Sequence, residues 1–116
     1  MNPPPGFGPL EYIKSGPREW TLTAFWRTPY GTVPAGFVSD GASSPRIAFA
    51  IVDPGSEFLE ASVIHDFLYR YGIGTRKDAD RAWRDTALSY GASPRRTRLG
   101  YFALRIGGVN FGWNSV

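Results

Sequence analysis

The chain carries a single histidine, His65, and an aspartate, Asp66, follows it directly. Tyr69 comes four residues after the histidine, and Asp80 stands further on, in the next predicted helix. An imidazole oriented by a carboxylate is the usual general base near neutral pH. Those four residues therefore carry the chemistry that the sequence offers. At about 100° per residue, Phe58, Ala61, Leu68 and Tyr69 fall within about 60° of His65 on one helical face. Leu59 and Val63 bracket Asp66 on the same buried side, while Glu57 and Glu60 mark the wet side. A lone His on an apolar face is ordinarily a satisfied core residue. The adjoining Asp changes that weighing, because a carboxylate turned inward needs a partner or a cation.

The following helix offers the partner. Its apolar arc is Ala79, Ala82, Trp83, Thr86, Ala87 and Tyr90, and Asp80 borders it, whereas Asp78 and Asp85 face the polar side. The four residues Gly72 to Thr75 separate the two helices, so a tight hairpin is expected. His65 and Asp80 should then meet at hydrogen-bonding distance, about 2.6–3.2 Å. One imidazole nitrogen would be fixed by Asp80, leaving the other as the base. Tyr69 would support Asp80, and Asp66 would hold a metal or cap structure.

Periodicity sets the frame around this site. Pro3, Pro4 and Pro5 make residues 1–9 an extended N-terminal arm, and one domain spans 10–116. The stretch from Leu10 to Val38 reads as β. Trp20, Leu22, Ala24 and Trp26 alternate with Thr21, Thr23, Phe25 and Arg27, the pattern of a half-buried strand. Glu11–Lys14 and Gly31–Val38 are shorter strands of the same antiparallel meander. A polar loop from Ser39 to Pro45 and a short apolar piece, Ile47–Val52, lead to Ser56. Ser56 suits the N-cap of a helix running to about Tyr71 and ended by Gly72. Thr75 and Asp78 form a capping box for a helix to about Tyr90. Ser93-Pro94 opens a last helix that fades at Gly107-Gly108. The fold class is α+β, a small meander followed by three helices, the first two forming a hairpin.

Composition narrows the classes. The chain has 116 residues, 42% of them hydrophobic, enough for one core. It has no Cys, which rules out disulfides and thiolate metal sites. No apolar run is long enough to span a bilayer, and the N-terminus lacks a signal-peptide pattern. The net charge is +3, with the basic excess late, from Arg70 to Arg98. That excess reads either as a solvated face or as attraction to anionic partners such as lipid headgroups or phosphates. No motif points to specific nucleic-acid binding. Leu99 to Trp113 is apolar on more than one side, so that segment is either deeply buried or covered by a partner.

The stretch V-P-A-G-F-V-S-D-G-A-S-S-P, then A-S-V-I-H-D-F-L-Y, then R-K-D-A-D-R-A-W resembles the DUF1353 family over about residues 30–110. These small proteins are common in bacteriophage and prophage genomes. The resemblance implies a location in host cytoplasm or virion. In addition, H-D-x-x-Y on one helix and D-x-x-W on the next are similar to the active site of secreted phospholipase A2. That likeness implies a calcium-dependent ester hydrolase acting on phospholipid or another ester. His65 would be the base, Asp80 and Tyr69 its supports, and Asp66 with Asp40 and Gly41 would hold calcium. Two departures stand against it. Leu68 occupies the place of a disulfide-bonded Cys, and His65 and Asp80 are closer in sequence than in phospholipases.

Other hydrolase classes fit less well. The HD phosphohydrolases need several His residues. A zinc site from His65, Asp66 and Asp40 would be unusually rich in oxygen. Ser43 and Ser44 lack a nucleophile elbow. The alternative from a different class is a non-enzymatic virion protein, associated with tail or capsid. Its N-terminal arm and aromatic C-terminal segment would meet other phage structural proteins. The His/Asp cluster would then be a structural knot.

Overall fold

The structure, a computed structural model, describes residues 3–40 and 57–107. Gly41, Ser43, Ser44, the apolar piece at Ile47–Val52, the expected N-cap Ser56 and the aromatic residues from Val109 onward lie outside the described residues.

Five short strands precede three helices. They are β1 (Tyr12–Gly16), β2 (Glu19–Leu22), β3 (Trp26–Thr28), β4 (Gly31–Val33) and β5 (Val38–Ser39), then α1 (Leu59–Arg70), α2 (Arg76–Ser89) and α3 (Pro94–Gly107). This is the α+β arrangement expected. No helix among the described residues is long and apolar enough to cross a membrane.

The sheet differs from the expected single meander. Strands β1, β2 and β5 form one antiparallel sheet, and β3 and β4 form a separate hairpin. The alternation from Trp20 to Arg27 therefore belongs to two strands with a bend at Thr23 and Ala24. Two tight turns cause the break. Gly31, at φ +130°, closes the β3–β4 hairpin, and Gly36, at φ +85°, turns the chain back toward β2. At that second turn the Gly36 amide donates to the Leu22 carbonyl, and the Leu22 amide to the Phe37 carbonyl. Pro34 has no amide to extend β4, so the expected strand Gly31–Val38 is divided as well. The end of the proline-rich N-terminal segment is folded onto the domain. Gly8 donates to the Arg27 carbonyl, the Trp26 indole donates to the Gly8 carbonyl over 2.9 Å, and the Phe7 ring lies 5.3 Å from that of Tyr90.

Trp20, Leu22, Trp26, Val33 and Phe37 form the sheet side of the core, against Leu59, Val63, Ile64, Phe67 and Leu68 of α1. A second cluster joins Phe58, Ala61, Trp83, Ala87, Ala103 and Leu104. It centres on a Phe58–Trp83 stack with ring centroids 5.2 Å apart, and it seats α3. The capping box at Thr75 and Asp78 is present. The Thr75 amide and hydroxyl bonded to the Asp78 carboxylate hold that carboxyl below its ordinary range.

Helix α1 starts later than expected, after Phe58, whose side chain makes no cap hydrogen bond. Its expected wet side is also partly covered. Glu57 accepts from the Ser93 amide and the Arg96 guanidinium at the start of α3. Glu60 is half-buried, and desolvation raises its pKa above the ordinary carboxylate range. A raised carboxyl pKa means that the folded state binds the proton more tightly. The stability it contributes is present below the unfolded value and lost as pH rises through the folded one. Glu60→Gln is therefore expected to raise the melting temperature at about pH 7 and to leave it unchanged at about pH 3, where the wild-type carboxyl is protonated in both states. Thermal melts at the two pH values check this, and equal shifts at both would contradict it.

Candidate functional site

Helices α1 and α2 are joined by a sharp turn with Gly72 and Gly74 at positive φ. The Ile73 amide donates to the Leu68 carbonyl and caps α1. Packing of the pair brings the middle of α1 against the second turn of α2. There Nε2 of His65 lies 2.7 Å from Oδ1 of Asp80. The contact expected from the spacing is present, and it is buried: His65 is 1% and Asp80 1% exposed.

The other oxygen of Asp80 is bound by two guanidinium groups. Arg105 Nη1 donates to Oδ2 over 2.9 Å and Arg76 Nη1 over 3.3 Å. The same Arg76 nitrogen also donates to the carbonyls of Leu104 and Arg105. These belong to the last turn of α3, where carbonyls lack helical partners. Arg76 thus ties the end of α3 to Asp80. Two cations on one carboxylate leave it an acceptor only, so His65 donates from Nε2. In a neutral imidazole bonded this way, Nδ1 is the accepting nitrogen.

Asp66 is 2% exposed and its Oδ2 accepts from the Ser39 hydroxyl over 2.5 Å. Strand alternation explains why Ser39 meets Asp66: successive side chains point to opposite faces. Ser39 at the end of β5 faces α1, while Asp40 is turned outward, with its Oδ1 3.6 Å from Arg70 Nη2 and its side chain 42% exposed. Arg70 also donates to the Val38 carbonyl, which holds the end of β5 on α1. Tyr69 is half-buried on α1. Arg76 and Arg105 join His65 on the Asp80 carboxylate, two partners that the spacing argument did not include.

Of the residues expected to hold calcium, Asp66 is engaged by Ser39, Asp40 stands beside a guanidinium, and Gly41 lies outside the described residues. No group of three His, Asp or Glu side chains among the described residues is placed to hold a metal.

Three residues of this cluster, Arg76, Ser39 and Arg105, lie outside the set that the His and Asp positions pick out. Arg76 had a signal, because it stands four residues before Asp80 on one helix and so shares its face. Ser39 had one in its strand parity relative to Asp40. Arg105 had none, since its contact depends on how α3 docks.

No curated protein and no solved structure matches the chain. The family model described as a protein of unknown function, DUF1353, matches residues 22–104. The match runs from the end of β2 to the last turn of α3 and includes Ser39, His65, Asp66, Arg76 and Asp80, with Arg105 one residue beyond it. With most of its length matched, the chain belongs to the DUF1353 family.

Proposed function

We propose that this is a phage-associated ester hydrolase whose base is His65. The observation that carries the reading is the 2.7 Å contact between His65 Nε2 and Asp80, with Arg76 and Arg105 completing the carboxylate's shell. Nδ1 would take a proton from a water as the water oxygen bonds to the ester carbonyl carbon. The resulting imidazolium, balanced by Asp80, would return that proton to the departing alkoxide as the ester C–O bond breaks. Asp80 keeps its charge throughout and acts by orientation. Asp66 and Ser39 position the chain at Asp40, which leads into the loop. Calcium enters this reading as an experimental variable, and no step runs through it. A phospholipid is the first substrate to try.

The second reading, a structural knot in a non-enzymatic virion protein associated with tail or capsid, is favoured by the burial of His65, Asp66 and Asp80. In that case the cluster locks β5, α1, α2 and α3 together, and other phage structural proteins are the partners. Host cytoplasm and virion suit the two readings respectively.

Hydrolysis of short- and long-chain esters, phosphatidylcholine among them, tests the choice. It is measured on wild type and His65→Asn, each with calcium and with chelator. Wild-type turnover lost in His65→Asn supports the hydrolase. An inactive wild type with a melting temperature indifferent to calcium supports the knot.

A further inference from the structure

Helix α3 buries Thr97, Gly100, Ala103 and Leu104. Its opposite side is unusual, because Leu99, Phe102 and Ile106 are 51%, 63% and 54% exposed. At about 100° per residue these three lie within about 60° of one another, in one stripe. Arg95 lies along the same stripe and Arg98 flanks it. Both arginines are exposed, and neither has an ion-pair partner among the described residues. The helix holds four arginines and no acidic residue.

An exposed apolar row bordered by exposed arginines matches a helix that lies in a membrane interface. In such a helix the apolar face sinks about 5–10 Å into the headgroup boundary and the cations meet anionic headgroups. We propose that α3 seats the protein on the surface of an anionic lipid bilayer. The apolar area argues against a second copy as the occupant. Three half-exposed side chains offer roughly a few hundred Å², short of the about 800 Å² per partner in a stable dimer. The charge argues the same way, since α3 packed on the α3 of a second copy would bring arginines together with no acidic residue on either helix. This inference does not rest on the hydrolase reading, because none of these residues touches the His65 site through its side chain.

Co-sedimentation of the full chain with lipid vesicles tests it. Wild type is expected to bind vesicles of phosphatidylglycerol and phosphatidylcholine at least about tenfold more tightly than phosphatidylcholine alone, with binding weakened by added salt. Phe102→Ser should weaken binding about fivefold or more. The double variant Arg95→Gln, Arg98→Gln should weaken binding to the anionic vesicles on the order of 20-fold. All the altered side chains are exposed, so thermal melts of both variants should match wild type and exclude misfolding. Absence of binding to the anionic vesicles, or binding that neither variant reduces, would overturn the proposal. So would self-association in sedimentation that Phe102→Ser abolishes while vesicles are ignored, which would assign the stripe to a second copy.

Discussion

Asp80→Ala is expected to destabilise the protein by about 3–5 kcal/mol, the range for removing one partner of a buried charged cluster. The carboxylate receives His65, Arg76 and Arg105 together. Removing it leaves the buried guanidinium of Arg76, only 7% exposed, with an uncompensated charge. It also leaves the His65 Nε2–H without its acceptor. Asp80→Asn keeps the volume and one carbonyl acceptor but loses the charge, so a loss of about half that size is expected. Urea denaturation followed by tryptophan fluorescence measures both. The transition midpoint should fall while the slope stays constant, the mark of a stability change without a change in the surface exposed. A loss under about 1 kcal/mol for the alanine variant would mean that water replaces the carboxylate cheaply. Asp80 would then not be the hub of the cluster.

Arg76→Ala should cost about 2–3 kcal/mol. The expected loss is smaller because Arg105 still neutralises Asp80 from the partly exposed side. Its local signature is the more informative part. Arg76 caps the Leu104 and Arg105 carbonyls at the end of α3, so the variant should lose amide-exchange protection in the last turn of α3 ahead of α1. Arg76→Lys should not restore it, since a single ammonium cannot reproduce a planar group shared between a carboxylate and two carbonyls. Uniform loss of protection across all three helices would instead place Arg76 in the global core and remove its role as a link.

The helical half of the molecule was legible because its signals are local. Thr75 and Asp78 cap α2 as their spacing requires, and the apolar arcs put His65 and Asp80 on facing sides. The sheet was less legible. Alternation from Trp20 to Arg27 records which side chains are buried, and Trp20, Leu22 and Trp26 are. It does not record that the chain bends between Leu22 and Trp26, because the hydrogen bonds beside the bend join Leu22 to Gly36 and Phe37, remote in sequence. Glu60 was misplaced on the wet side for a related reason, since helical angle alone does not show that neighbouring elements partly cover that face. In the site, charge drew attention to Asp40 although strand parity favours Ser39. The two arginines on Asp80 complete a cluster of which only the His and Asp members stood out. Arg105 belongs there through the stacking of Phe58 on Trp83, which seats α3, and no spacing along the chain encodes that.

The proposed hydrolase reading requires that the His65–Asp80 pair work on a substrate. The most direct measurement is ester turnover by wild type and His65→Asn at equal folded fraction, with folding verified by melting in the same buffer. Wild type is expected to hydrolyse at least one ester, and the variant to fall by about 10²–10⁴-fold, the usual contribution of a general base. Turnover that survives in folded His65→Asn would contradict it. So would a wild type inert toward every ester with calcium and with chelator, which would leave the cluster as the knot that holds three helices to the sheet.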